Sequence, residues 1–366
     1  MPDITLIALI AIGRNEGQRL RRCLASVIGG GMPVVYVDSA STDGSAAMAR
    51  EMGAEVVDLD MSRPFSAARA RNEGFARLMQ ISPGVQYVQF VDGDCEVVPG
   101  WMDAAKSALD ADEKLAVVCG RRRERFPEAS IYNRLADVEW NTPIGPAQSC
   151  GGDSMMRVSA FQQAGGYDAS VVAGEEPELC QRLRGLGWTI RRIDAEMTLH
   201  DSAMLRFGQW WKRSVRSGYG AMDVATRFGS QGLFRKQVAS ARWWARDWVI
   251  VLIFILIGPL VLWAVTIGRD AGISWKLRLA LQAGLALLWL SLLPLQTARI
   301  AFGSRRRAGN WKISTAYAIL TMIGKWANVA GQRQYARDRA AGKLARMIDY
   351  KGESKKAAPI AAGMES

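Results

Sequence analysis

The chain has 366 residues, enough for one large domain and a second region. Its formal net charge of +12 suggests an anionic membrane surface or a nucleic acid as partner. Residues 1–200 carry 21 Lys and Arg against 27 Asp and Glu, whereas residues 201–366 carry 26 against 8. The excess positive charge thus belongs to the C-terminal part alone, where a membrane accounts for it, and no nucleic-acid partner is expected.

Short β-branched runs alternate with helical patterns through the first 200 residues. This alternation predicts an open, mostly parallel α/β sheet. Ligands of such sheets bind beyond the carboxyl ends of the strands, so the loops at those ends are expected to carry the chemistry. The predicted strands cover residues 4–12, 34–37, 56–59, 87–91 and 115–119, with weaker strands at 150–158 and 189–193.

The N-terminal run does not resemble a signal peptide, because it is short, follows an acidic residue and precedes no small-residue cleavage site. GRNEG follows it instead of GxGxxG, and no GxxxxGK[ST] occurs, so neither a dinucleotide fold nor a P-loop is predicted. The five cysteines are odd in number, show no CxxC spacing and all precede residue 201. They are expected to be reduced thiols in a cytosolic domain.

Asp92 and Asp94 end the fourth predicted strand with only a glycine between them. One interpretation is a β-turn, because Asp-Gly is a common turn sequence. The other is a metal site, since neighbouring like charges are costly without a cation and carboxylates suit Mg²⁺ or Mn²⁺. His200, the only histidine, follows the last predicted strand and is either structural or a third ligand of the metal.

The ordered motifs of residues 4–202 resemble the family 2 glycosyltransferases of the GT-A fold. The motifs are GRNEG, VDSASTDGS, ARARNEG, FVDGDCEVVPGW, CGGDSMMRVSAFQQAGGYD and GEEPELCQRLRGLGW. The resemblance implies an inverting, hexosyltransferase-type transfer from a nucleotide-sugar donor such as a UDP- or GDP-sugar. It also implies a divalent metal, Mn²⁺ or Mg²⁺, on the donor diphosphate.

The resemblance assigns roles to single residues as well. Asp92 and Asp94 match the family's DxD motif and would hold the metal. His200 is expected as the third ligand from its position and from the chemistry of imidazole, not from the resemblance. The residues expected around the nucleotide are Ile12, Asp38, Arg71, Asn72 and Asp92.

The acid pair Glu175 and Glu176 matches the family's glutamate-aspartate position, whose second acid is the usual general base. Glu176 is therefore expected to be the base and Glu175 to orient the acceptor, although the longer second side chain leaves their order open. Alternatively, both acids stabilise the dipole of a helix that begins here. The two interpretations are compatible, and Pro177 suits the first turn of such a helix.

The sequence QWWKR at 209–213 is similar to the QxxRW motif of processive members, but Lys212 stands where Arg belongs and Arg213 where Trp belongs. A long polymerising synthase is therefore not predicted. The tryptophans of this region are instead expected to form an aromatic belt at a membrane face. They are Trp210, Trp211, Trp243, Trp244 and Trp248.

Two apolar runs, 248–268 and 279–295, predict a transmembrane hairpin, since a spanning helix needs about 20 such residues. A third segment, 311–330, is either another crossing or an amphipathic helix in the interface. Basic residues on both of its flanks favour the interfacial helix on the cytoplasmic side.

These patterns predict four parts of the chain. They are a GT-A catalytic domain at 1–204, an amphipathic interfacial linker at 205–247, a membrane region at 248–330 and a basic, partly disordered tail at 331–366. The predicted function is transfer of a single sugar to a lipid-linked or membrane-proximal acceptor in glycan or exopolysaccharide biosynthesis, with the catalytic domain on the cytoplasmic side of the inner membrane. A sugar nucleotidyltransferase is the alternative, but GRNEG lacks its phosphate loop; the clustered acids oppose a non-enzymatic membrane scaffold.

Overall fold

The computed structural model describes residues 6–229, 232–265 and 275–342. Within these residues, a nine-stranded mixed sheet is followed by long helices. The strands are β1 (Ile7–Gly13), β2 (Val34–Asp38), β3 (Glu55–Asp58), β4 (Tyr87–Asp92), β5 (Cys95–Val97), β6 (Leu115–Glu124), β7 (Gly145–Pro146), β8 (Ser154–Arg157) and β9 (Thr189–His200). The helices of the sheet domain are α1 (Gln18–Ala25), α2 (Ser45–Glu51), α3 (Ala67–Ile81), α4 (Trp101–Asp110), α5 (Ile131–Trp140), α6 (Val158–Gln163) and α7 (Glu175–Gly185). They are followed by α8 (Phe207–Arg227), α9 (Arg235–Arg242), a π-helical turn (Trp243–Asp247), α10 (Trp248–Val265), α11 (Trp275–Ala308) and α12 (Trp311–Ala340).

The sheet has the order β3-β2-β1-β4-β8-β6-β9-β5, with β7 paired to β9. The first four strands of this order are parallel, and β8 joins β4 to β6 in antiparallel pairing. The predicted α/β sheet is therefore confirmed, and its parallel part holds the carboxyl ends of β1, β2 and β4 at one edge. Every strand predicted from the sequence within the described residues is present.

Helices cover both faces of the parallel strands. Ile10 and Ile12 belong to a core shared with α3, α6 and α7, whereas Leu9 and Ala11 belong to a core shared with α1 and α4. This alternation explains why β1 is apolar at nearly every position. A Cβ on Gly74 of α3 would lie 2.7 Å from Ile10 Cγ2, so α3 rests directly on the sheet. The strand ends that carry the site are thus held on both sides.

One helix within the described residues, Leu279–Ala308, is long and apolar enough to cross a membrane, with a mean hydropathy of 1.6. It contains the second predicted span. The first predicted span forms α10 as far as Val265, and its last residues, with most of the predicted external loop at 269–278, lie outside the described residues. Gln282 Nε2 donates to the Leu256 carbonyl at 2.6 Å, so α10 and α11 contact each other.

The predicted interfacial segment 311–330 is the first part of α12, which packs along α8. A Cβ on Gly331 would lie 2.0 Å from the Val215 carbonyl oxygen, and one on Gly218 would lie 2.2 Å from that of Asn328. The two helix backbones therefore almost touch, and no larger residue fits at either glycine. This contact attaches α12 to the helices that follow the sheet domain.

The predicted aromatic belt is wrong for two of its five tryptophans. Trp210 is 8% exposed against α5 and Trp248 is 5% exposed, with its ring stacked on Trp289 at 6.4 Å between centroids. Both rings are therefore used in helix packing rather than presented to a surface. Trp243, by contrast, is 41% exposed.

Candidate active site

Three loops meet at the carboxyl edge of the parallel strands. Ile12 of β1 is in register with Asp92 of β4, and the next residue, Gly13, is in register with Asp38 of β2. The buried Ile12 accepts a hydrogen bond at its carbonyl oxygen from the Gly93 N–H, at 2.8 Å. The first and fourth strands thus fix the DGD loop between them, as the sheet topology led us to expect.

Asp38 organises the loop after β2. Its Oδ1 accepts from the Tyr36 hydroxyl at 3.0 Å and its Oδ2 from the Ser41 N–H at 2.7 Å. Ser41 Oγ in turn accepts from the Asn15 N–H at 2.9 Å, which ties this loop to GRNEG. Asp38 is only 3% exposed, so its carboxylate shapes the loops that would surround a nucleotide.

Asp92 pairs with two arginines. Arg71 Nη2 lies 2.8 Å from Oδ1 and Arg122 Nη2 lies 3.5 Å from Oδ2. Burial acts to raise the pKa of Asp92, but the two guanidinium groups outweigh it and hold that pKa below its usual value. Asp92 therefore remains a carboxylate, with 35% of its side chain exposed at the strand end.

Arg71 joins the strand edge to the acid pair of α7. This arginine is 2% exposed, and its Nη1 lies 2.6 Å from Glu175 Oε1 while Nη2 binds Asp92. Gly152 leaves room for the pair, since a Cβ there would lie 2.8 Å from Arg71 Nη2 and 3.4 Å from Asp92 Oδ2. Gly152, the second glycine of the CGGD sequence, is thus needed because the backbone there lies close to the Arg71–Asp92 ion pair.

Asp94 and His200 lie side by side. The antiparallel pairing of β5 with β9 places Cys95 opposite His200, and His200 Nε2 lies 3.3 Å from Asp94 Oδ2. One ligand atom from each of Asp94, Cys95 and His200 falls within 4.8 Å of the others. The structure therefore brings together two of the three predicted metal ligands, whereas the carboxylate of the third, Asp92, is engaged by arginines.

The donor set fits a divalent ion such as Mn²⁺. A carboxylate and an imidazole are suitable ligands, and neither Asp94 nor His200 is more than 4% exposed. His200 Nδ1 is buried without a hydrogen bond, 4.0 Å from Glu124 Oε2, so Glu124 could orient the ring as carboxylates do behind metal-bound histidines. Burial raises the pKa of Glu124.

Glu176 faces away from Arg71 and into the protein. Its Oε1 accepts from the Cys150 N–H at 2.6 Å and contacts the Cys180 sulfur at 2.8 Å. Burial raises the pKa of Glu176 to about 7, although the bonds from Cys180 and from the backbone of Cys150 and Gly151 act to lower it. Both predicted acids lie in the first turn of α7, as the dipole interpretation requires, but in different surroundings.

Asn72 lies on α3 directly after Arg71, yet its amide is used within the protein. Its Oδ1 accepts from the Tyr167 N–H at 2.9 Å, and its Nδ2 donates to the Tyr167 carbonyl at 2.7 Å. The amide thereby holds the 165–168 turn against α3. Its expected place near the nucleotide stays a prediction, as do the other predicted donor contacts.

Besides Glu124, the site contains Arg122, Asp153 and Trp140, which were not predicted from the sequence. Arg122 Nε lies 3.1 Å from Asp153 Oδ2, and the Arg122 guanidinium lies 5.0 Å from the centre of the Trp140 ring. The Trp140 ring meets His200 edge to face at 4.7 Å between centroids. The GGD sequence before β8 could have singled out Asp153, but nothing in the local sequence distinguishes Arg122 within RRRER or Trp140 at the end of α5.

Comparisons with known proteins concern the family and the fold of the chain. Residues 9–161 match the family model described as Glycosyl transferase family 2. A pre-mycofactocin glycosyltransferase of Mycobacterium tuberculosis is 27% identical over 241 residues, 62% of this chain and 48% of that protein. The succinoglycan biosynthesis protein ExoA of Rhizobium meliloti is 28% identical over 173 residues, 44% of this chain and 51% of that protein. The chain spans about half the length of these curated relatives.

Among solved structures, a mannosyltransferase of Pyrobaculum calidifontis in complex with GDP-Man and Mn²⁺ is similar over most of both chains. It is 18% identical, and the match covers 91% of this chain and 89% of that chain with a TM-score of 0.51. At this level of identity the likeness concerns the fold, and it confirms the fold predicted from the sequence.

Proposed function

We propose that this chain, whose N-terminal domain belongs to the family 2 glycosyltransferases, is an inverting enzyme that depends on a divalent metal. It transfers a single sugar from a UDP- or GDP-sugar to a lipid-linked or membrane-proximal acceptor in glycan or exopolysaccharide biosynthesis. The observation that carries this proposal is the meeting of Asp94 and His200, 3.3 Å apart, at the strand edge where Arg71 links Asp92 to Glu175.

Asp94 and His200 would hold the metal, and Asp92 would face the donor beside it. A bound divalent ion supplies positive charge that stabilises the leaving diphosphate. Arg71 and Arg122 place two permanent positive charges on Asp92, so its carboxylate stays fixed at the end of β4. Preorganised charges of this kind favour a reaction because they need not reorient as charge develops.

Glu176 is proposed as the general base. A base that works near neutral pH benefits from a pKa close to 7, and burial brings the pKa of Glu176 to about that value. Its Oε1 accepts from the Cys150 N–H, so the 150–152 loop lies directly beside the carboxylate. The acceptor hydroxyl would therefore reach Glu176 past this loop. Glu175, already paired with Arg71, suits the positioning role instead.

The proposed location is the cytoplasmic face of the inner membrane. Support comes from the apolar helix Leu279–Ala308 and from the basic run Arg305, Arg306 and Arg307 at its end. Basic residues next to a span favour the cytoplasmic side. The likeness to a succinoglycan biosynthesis protein supports a role in glycan assembly.

The proposal is tested by incubating the purified full chain with a panel of nucleotide-sugars and Mn²⁺ and measuring UDP or GDP release. We expect release from at least one donor, dependent on the metal and lost in Asp94→Asn. Asp103→Asn is the matched control, because Asp103 is an exposed acid on α4 that takes no part in the contacts described at the strand edge. Release that is absent for every donor, or unchanged in Asp94→Asn, would refute the assignment.

A further inference from the structure

A cavity of about 250 Å³ lies between α5, α8 and α12. The cavity and the proposed metal site share α5, because Trp140 contacts the His200 ring and the preceding residue, Glu139, lines the cavity. None of the roles proposed above uses this cavity. Its volume is close to that of small ligand sites in proteins, which begin at about 300 Å³.

One part of the cavity wall is apolar. It is formed by Leu135 and Ala136 of α5, Met204, Trp210 of α8 and Leu320 of α12. The Trp210 ring stacks on Tyr132, another wall residue, at 6.2 Å between centroids. This part of the wall suits a hydrocarbon chain.

Cations also line the cavity. Arg213 Nη1 lies 2.9 Å from Glu139 Oε2, and Arg307, which is not itself a wall residue, lies over the ring of the wall residue Tyr317, 5.9 Å from its centre. Lys325 also faces the cavity, and its Nζ binds the Ser240 hydroxyl at 3.2 Å. No carboxylate lies within ion-pair distance of Lys325 in the described part of the chain, and burial lowers its pKa.

Such a lysine is suited to a ligand that brings its own negative charge. A cation removed from water without a counter-ion is unfavourable, and an anion of the ligand would supply the missing charge. Phosphate fits best, since it also accepts hydrogen bonds from hydroxyl groups, and Ser214, Ser217 and Thr321 line the same cavity.

We propose that this cavity binds a membrane-borne amphiphile with a phosphate next to an apolar chain, with the phosphate at Lys325 and the chain against Trp210. This deepens the proposed function, on which it rests, by naming the class of acceptor. A lipid phosphate is favoured over free phosphate because apolar residues line the cavity beside the cations, and because α12 follows directly after α11, which contains the candidate membrane span. The acceptor would then enter from the membrane and reach the metal site past the end of α5.

The test is calorimetry on the full chain in a neutral polyoxyethylene detergent, with decyl phosphate, inorganic phosphate and decyl maltoside as probes. We expect decyl phosphate to bind and the other two to bind at least tenfold more weakly. Lys325→Gln should weaken decyl phosphate binding by about tenfold or more, the usual scale for losing a charge-assisted hydrogen bond. Lys312→Gln is the matched control, because Lys312 is exposed on the same helix and should leave binding unchanged.

Two variants at Gly324 test whether the ligand occupies the cavity, without changing the charge of Lys325. A Cβ on Gly324 would lie 3.6 and 3.7 Å from two carbons of the Trp210 ring, which is ordinary contact, so Gly324→Ala should fold and bind. Gly324→Leu should fill the cavity and abolish decyl phosphate binding. The proposal is overturned if inorganic phosphate binds as well as decyl phosphate, if the two lysine variants weaken binding equally, or if Gly324→Leu binds normally.

Two separate measurements distinguish failure of the acceptor site from failure of the proposed enzyme activity. Nucleotide release from the donor panel, measured on the unmodified chain without an acceptor, tests the enzyme. Binding of decyl phosphate tests the cavity. Donor hydrolysis without binding at Lys325 would refute the acceptor site alone, whereas specific binding without any donor hydrolysis would refute the enzyme assignment alone.

Discussion

Replacing Glu176 by glutamine should make the protein more stable at alkaline pH while it removes sugar transfer. Glu176 is 3% exposed, and its carboxylate lies between the Cys150 N–H and the Cys180 thiol at the start of α7. Glutamine has the same shape and can still accept from the Cys150 N–H through its amide oxygen. The substitution therefore removes the buried charge and little else.

The size of the effect follows from the pKa of Glu176, which burial raises from 4.5 to about 7. Between these values the folded protein keeps a proton that the unfolded chain has lost, so stability falls as pH rises from 4.5 and reaches its full loss above 7. At 1.36 kcal/mol for each pKa unit, the loss is about 3 kcal/mol. Glu176→Gln should thus be about 3 kcal/mol more stable than the unmodified chain at pH 8, and equally stable at pH 4.

The measurement is denaturant unfolding of both proteins across this pH range. Glu175→Gln provides the contrast, since it breaks the 2.6 Å ion pair with the buried Arg71 and should lower stability at pH 8. If Glu176→Gln is less stable than the unmodified chain at pH 8, or if the difference does not change with pH, then Glu176 is not a buried acid with a raised pKa.

The same variant tests the catalytic role. Transfer by the unmodified enzyme should rise with pH through about 7, because the base must be ionised before it can accept a proton. Glu176→Gln should keep donor and metal binding but transfer at least a hundredfold more slowly. Near-normal transfer in Glu176→Gln, together with an inactive Glu175→Gln that still binds donor, would reverse the roles of the two acids.

Three further predictions concern the metal, the buried arginine and the topology. Asp94→Asn should lose Mn²⁺-dependent donor binding in calorimetry and His200→Ala should weaken it, whereas unchanged binding in Asp94→Asn would refute the metal site. Arg71→Met should lower the free energy of unfolding by about 3 kcal/mol, because both carboxylate partners lose their buried counter-ion; a loss below 1 kcal/mol in denaturant unfolding would contradict this. A cysteine introduced at Ser354 should resist impermeant thiol reagents in intact cells, since the basic tail is expected in the cytoplasm, and labelling there would contradict the topology.

The sequence was sufficient to predict the parallel half of the sheet. In β1, β2 and β4 nearly every residue is buried by helices on both faces, so apolar runs are visible without knowledge of the pairing. The short strand β5 was missed, because its three residues follow the DGD turn and pair with the distant end of β9. A non-local pairing of this kind leaves no local pattern to read.

The same limit applies to the site. Asp92 and Asp94 were recognisable because they follow a strand directly, and the structure places Asp94 beside His200, although 106 positions separate them along the chain. The two arginines on Asp92 have different sequence signals. Arg71 belongs to the motif ARARNEG, whereas Arg122 is one of three consecutive arginines whose directions depend on the irregular pairing of β6 with β9.

The acid pair illustrates how adjacent residues of one kind acquire different chemistry. Successive helix positions point in directions about 100° apart, so Glu175 meets Arg71 while Glu176 meets the Cys150 N–H and the Cys180 sulfur. Glu175 is thereby tied to a permanent positive charge, and Glu176 is left without a cation in a buried setting that raises its pKa to about 7. Two carboxyl groups whose surroundings differ in this way are suited to different tasks, one that stays charged and one that exchanges a proton near neutral pH. The partners, rather than the order of the two glutamates in the sequence, therefore favour Glu176 as the base.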